Sequence, residues 1–146
     1  MKSIIFVCLG NICRSSLAEG VAKKRVKALG LNLKVESAGL SEFHNGEAPC
    51  PLSIELAKKH DIDISHQRSQ HVSEFDLEKF DLVVALDESN KTELAFLGLS
   101  NVEKLGDFGF EGKDVADLYY HPEKEDEVWE MVSVGVEEIL EELFNK

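Results

Sequence analysis

Residues 3–7 (Ser-Ile-Ile-Phe-Val) form a short apolar run rich in β-branched and aromatic side chains, closed by Leu9-Gly10-Asn11. This is the pattern of a strand buried on both faces. From Ser15 the period changes: Leu17, Val21, Val26 and Leu29 recur at near-helical spacing, with Ser15 or Ser16 placed to cap the start and Gly30 to end it. Residues 33–36 alternate as a strand does, and residues 49–60 carry Leu52, Leu56 and Ala57 on one helical face after a proline suited to a first turn. Residues 82–86 are again continuously apolar and lead through Asp87-Glu88-Ser89-Asn90 into a helical stretch with Leu94 and Leu97. Residues 102–105 fit a short further strand, 106–121 read as a long loop, and Pro122 opens an acidic final helix with Val128, Val132, Ile139, Leu140 and Leu143 as its buried stripe. Strands alternating with helices predict an α/β fold. The sheet should be parallel and doubly wound, with helices on both faces and the ligand site beyond the carboxyl ends of the strands.

Composition narrows this to one domain spanning residues 1–146. The chain is 43% hydrophobic and 30% charged, and a domain of this size buries roughly 68–70% of its unfolded surface, enough to need neither disulfides nor metal. Sixteen Lys and Arg against 28 Asp and Glu leave a net charge of −12, which repels polyphosphate backbones; nucleic acid is not an expected partner. The nine acidic residues of the final helix form its solvated face. The opening apolar run is too short for a secretory signal and nothing approaches the ~20 apolar residues of a membrane span, so a cytoplasmic monomer with no membrane association is expected. Cys8, Cys13 and Cys50 are odd in number, so at least one is a thiol.

The chemistry concentrates in Cys8-Leu9-Gly10-Asn11-Ile12-Cys13-Arg14-Ser15, a cysteine and an arginine separated by five residues just before a helix start. Backbone N–H groups of such a loop can wrap a tetrahedral anion, and the helix N-terminus adds unpaired donors. Gly10 is expected to permit the bend. Arg14 offers a planar fork able to hold two phosphoryl oxygens at once. Cys8 is expected to be a thiolate, because a helix N-terminus and an arginine both favour the sulfur anion, and the Ser15 hydroxyl can donate to it. No Walker sequence and no Gly-x-Gly-x-x-Gly follows a strand, and the three cysteines lack zinc-ligand spacing. A nucleophile of this kind needs an acid for the leaving oxygen. The long loop supplies Asp107, Asp114 and Asp117, and Asp117 is followed by Tyr119 and Tyr120, rings suited to wall a slot for a flat substrate.

These residues resemble the low-molecular-weight protein tyrosine phosphatase family. The likeness runs through 7–15, Ser37-Ala38-Gly39, Asp87-Glu88-Ser89-Asn90 and Asp117-Leu118-Tyr119-Tyr120. It implies a four-stranded parallel sheet, phosphocysteine catalysis without metal or cofactor, phosphotyrosine proteins or small aryl phosphates as substrates, and phosphate as product. By position it makes Cys8 the nucleophile, Arg14 the phosphate clamp and Asp117 the general acid. Asn11, Ser15, Ser37 and His66 become the supporting shell, and Leu9, Ile12, Phe43, His44 and Tyr119 line the mouth. It also makes Cys13 a candidate partner for oxidised Cys8.

Two positions depart from the family pattern, which has proline where Ser16 and Leu118 stand here. The first is tolerable in a first helical turn. The second predicts a more mobile Asp117 and slower turnover. A protein arginine phosphatase of the same fold is the alternative enzyme, disfavoured by Ile12 where that group has threonine. A phosphotyrosine- or anion-binding module that has lost its chemistry is the alternative without catalysis.

Overall fold

The computed structural model describes residues 1–144. Over these the chain runs β1 (Lys2–Cys8), α1 (Arg14–Leu29), β2 (Leu33–Gly39), α2 (Pro51–Lys59), β3 (Leu82–Ala85), α3 (Glu88–Phe96), β4 (Val102–Lys104) and α4 (Glu125–Phe144). The four strands lie in the order β2-β1-β3-β4, every neighbouring pair parallel. Pairing of Cys8 with Gly39 and of Val7 with Ala85 brings the carboxyl ends of the first three strands level. The chain leaves β1 toward β2 on one side and reaches β3 and β4 on the other. A crevice therefore opens between the loops after β1 and β3, the usual ligand position in such sheets.

The pleat divides the core. Ile4, Phe6, Cys8, Val84 and Leu86 face one layer, where they meet Leu17 and Val21 of α1, Leu56 of α2 and the stripe Val128, Met131, Val132, Val136 and Ile139 of α4. Ile5, Val7, Val83 and Ala85 face the other, under Leu94 of α3 and the turn residues Val72, Leu77 and Phe80. Burial on both faces explains why β1 and β3 read as unbroken apolar runs. Boundaries shift slightly from expectation. Pro51 opens α2, and Pro122 opens a single 3-10 turn that precedes α4. Leu29 and Leu97, counted toward buried faces, are exposed at helix ends. No described helix is long and apolar enough to cross a membrane.

Candidate active site

The loop between β1 and α1 turns on Asn11, whose φ of 58° lies in the left-handed region that asparagine tolerates better than most residues. Gly10, expected to make the bend, has no positive φ. What it provides is room: a Cβ there would lie 3.1 Å from His44 Cδ2. Gly39 forms the opposite wall, where a Cβ would meet the Leu9 oxygen at 3.0 Å. Helix α1 starts at Arg14 with Cys13 at its N-cap and no side-chain cap. Ser16, one of the expected caps, instead donates back to the carbonyls of Ile12 and Cys13 at 3.0 and 3.1 Å. The first-turn amides thus have no side-chain acceptor, an arrangement that favours an anion.

Cys8 is buried and, among the described residues, is the free cysteine. Its Sγ lies 3.0 Å from Ser15 Oγ and accepts the Asn11 N–H at 3.3 Å. A proton count leaves Ser15 able to donate in the first contact. Asn11 Nδ2 donates to Ser15 Oγ at 2.8 Å and to Ser37 Oγ at 2.9 Å, while Asn11 Oδ1 accepts the Gln70 N–H at 2.9 Å. With both amide protons committed, each hydroxyl has its own proton for another acceptor. Ser37 gives its proton to Glu19 Oε1, and the Ser15 proton is left available to the sulfur 3.0 Å away. Glu19 in turn accepts from Lys23 at 2.5 Å. A continuous line of hydrogen bonds therefore runs from the sulfur to the outer face of α1.

Arg14 is buried under the cleft with 7% of its side chain exposed. Its Nη1 donates to Asp87 Oδ2 at 2.6 Å and to the Val115 carbonyl at 3.1 Å, and its Nη2 lies 3.7 Å from Asp117 Oδ2. Its Nε is buried without a protein partner. Burial acts to lower the Arg14 pKa, but the Cys8, Asp87 and Asp117 charges outweigh it and raise the value above the ordinary guanidinium one. Asp117 reaches the same space from the loop before α4, its Oδ1 accepting the Tyr119 N–H at 3.0 Å. Between these groups lies a cleft of about 430 Å³ lined by Cys8, Arg14 and Asp117 at its base. Its rim carries Leu9, Phe43, Tyr119 and Tyr120, which are all exposed, with Ile12 and His44 partly buried beside them.

A sequence profile described as low molecular weight phosphotyrosine protein phosphatase matches residues 3–146. The chain belongs to that family. It is 33% identical to the low molecular weight protein-tyrosine-phosphatase YfkJ of Bacillus subtilis, covering 96% of this chain and 94% of YfkJ. The crystal structure of YfkJ superposes with a TM-score of 0.89, covering 98% of this chain and 94% of that one. The Staphylococcus aureus enzyme PtpA is 35% identical over 82% of this chain and 80% of its own. A drosophila arginine phosphatase shares 26% identity and a TM-score of 0.87 over 99% of this chain and 98% of its own. The fold is that of the family, and this is a protein-tyrosine phosphatase by its relatives.

Cys8, Leu9, Gly10, Ile12, Cys13, Arg14, Phe43, His44, Asp117 and Tyr119 converge on the one cleft, and Asn11, Ser15 and Ser37 form the hydrogen-bonded layer beneath it. His66 does not join that layer. It is exposed, beside Gly20, Lys23 and Gln67 on the flank of α1, and the Ser37 hydroxyl is held by Glu19 instead. Cys13 also departs from expectation: it forms a disulfide with Cys50, at a Cα separation of 5.4 Å, and so ties the anion loop to the start of α2. Leu118, where the family has proline, is only 2% exposed and shares a core cluster with Val115, so its side chain ties the acid loop to the core.

Glu19, Ser41 and Asp87 are site residues that sequence reasoning missed. Asp87 gave a usable signal, standing where a helix cap follows an apolar strand; its Oδ1 does cap α3 through Asn90 N–H at 2.7 Å, while Oδ2 holds Arg14. Glu19 gave none, because only the register of β2 brings Ser37 to it.

Proposed function

We propose that the chain hydrolyses phosphotyrosine esters by way of a phosphocysteine at Cys8. The observation that carries this reading is the buried Arg14, whose Nε has no acceptor among the described residues and stands beside a sulfur that accepts the Asn11 N–H and touches the Ser15 hydroxyl. Phosphate oxygens would occupy the loop amides and the free edge of the guanidinium. The thiolate attacks phosphorus in line with the phenolic oxygen; the S–P bond forms as the P–O bond breaks, and Asp117 gives its proton to the departing phenol. The Asp117 carboxylate then takes a proton from water, the water oxygen bonds to phosphorus, and the S–P electron pair returns to Cys8 as phosphate is released. The Ser15 hydroxyl, aimed at the sulfur, stabilises the thiolate at both ends of the cycle. The chain needs no cofactor in this scheme and would act as a monomer.

The exposed rings of Tyr119, Tyr120 and Phe43 favour an aryl group at the mouth. Cys8→Ser is the direct test: turnover of an aryl phosphate should vanish while inorganic phosphate still binds. Undiminished turnover in that variant would overturn the nucleophile assignment. Rates on matched phosphotyrosine and phosphoarginine peptides separate the two substrate classes, with the former expected to be faster.

A further inference from the structure

Loop 106–121 carries Asp117, and its two stems meet at one residue outside the cleft. Lys104 ends β4 with only 10% of its side chain exposed, its Nζ 3.0 Å from Asp114 Oδ1 and 3.9 Å from Glu88 Oε1. The backbone N–H of the same lysine donates to Asp107 Oδ2 at 3.0 Å. One residue thus holds the loop near its beginning through Asp107 and again before the acid through Asp114. The frame is shared with the phosphate clamp. Asp114 Oδ1 also accepts the Glu88 N–H at 2.9 Å, directly after Asp87, which holds Arg14. Val115 N–H donates to the Leu86 carbonyl at 3.0 Å, and the Val115 carbonyl accepts from Arg14 at 3.1 Å.

We propose that Lys104 is a positioning residue that sets the reach of Asp117 toward the leaving oxygen by pinning Asp114. The proposal rests on the reading of Asp117 as general acid. Its physical basis is charge as well as geometry. Asp114 and Glu88 flank a single ammonium, which also feels the charge of Asp107, in a chain of net charge −12. Without that ammonium, Asp114 would keep only a backbone donor, next to the Glu88 carboxylate. The repelled segment is separated from Asp117 by Val115 and Ala116 alone. Burial alone would lower the Lys104 pKa, but the hydrogen bond and charge of Asp114, with Glu88 and Asp107, raise it above the ordinary lysine value, so the pin is charged at neutral pH. Lys104 touches neither the cleft nor Cys8, so its effect must travel through the loop.

The experiment compares kcat/KM on aryl phosphates whose leaving phenols range from strongly to weakly acidic. Such values report the steps through phenol release. Lys104→Met should lose ~10-fold on the most basic leaving group and less than ~2-fold on the most acidic, as a misplaced acid does. Asp117→Asn should show the same trend more steeply. Lys104→Arg should restore most of the loss. Lys104→Met combined with Asp117→Asn should be no worse than Asp117→Asn alone. Asp114→Ala, at a 52% exposed side chain, should reproduce the trend and carries the test if Lys104→Met does not fold. An equal loss across all leaving groups would mark Lys104 as merely structural and overturn the proposal, as would no loss. If Asp117→Asn is steep while the Lys104 and Asp114 variants are flat, Lys104 positioning fails and the acid assignment stands. If Asp117→Asn is itself flat, the acid assignment fails and the proposal falls with it.

Discussion

Asp87 Oδ2 accepts from Arg14 Nη1 at 2.6 Å while its other oxygen caps α3. One carboxylate therefore couples the orientation of the clamp to the start of a helix on the opposite face of the sheet. Asp87→Ala removes the partner of a buried cation, a change that typically costs ~3–5 kcal/mol in stability. The guanidinium would also lose its aim, with ~10²-fold lower kcat/KM. Urea unfolding checks the first effect; steady-state rates and inhibition by inorganic phosphate, which should weaken in parallel, check the second.

Asn11 supports the site in two ways, through its left-handed backbone and through two donated protons. Asn11→Gly keeps the backbone and loses the side chain, whereas Asn11→Ala loses both. Both variants should slow alkylation of Cys8 by iodoacetate at neutral pH. Only the alanine variant should add a strain penalty of ~1–3 kcal/mol in thermal unfolding.

The Cys13–Cys50 disulfide occupies the thiol nearest in sequence to Cys8. A sulfenic acid formed at Cys8 by peroxide then lacks that resolving partner and proceeds to irreversible forms. Cys50→Ser frees Cys13 and should regain more activity on later reduction than the parent protein isolated with its disulfide intact. Cys13→Ser should regain no more than the parent. Equal recovery in all three would show that Cys13 does not determine the fate of oxidised Cys8.

Leu118 restrains the acid loop by packing, so the relevant variant is a truncation. Leu118→Ala should lower stability by ~2–5 kcal/mol, as large-to-small changes in a closed core do. It should also depress turnover below the optimum temperature, because the loop loses its anchor one residue from Asp117. Urea unfolding and kcat measured on the same preparation give the two readings.

Strands β1 and β3 were legible because burial on both faces leaves an unbroken apolar run, and the segment from Cys8 to Ser15 was legible because its chemistry is local. What the sequence hides depends on pairing between distant strands. Glu19 reaches Ser37 only through the β1–β2 register, and Lys104 meets Asp114 only once the long loop folds back. His66 shows the reverse case: a positional likeness placed it in the supporting shell, yet the chain sets it outside on the flank of α1. For Leu118 the sequence reading weighed the backbone freedom that a missing ring leaves, and not the buried side chain that ties the segment to the core.

The groups proposed to grip phosphate lie within a single strand-to-helix turn, whereas Phe43, Tyr119 and Tyr120 hang on separate, later segments at the rim. Exchanging those outer segments for others should therefore redirect the choice of phosphoester while the grip at the bottom stays intact. Selectivity and chemical competence can drift independently in this architecture.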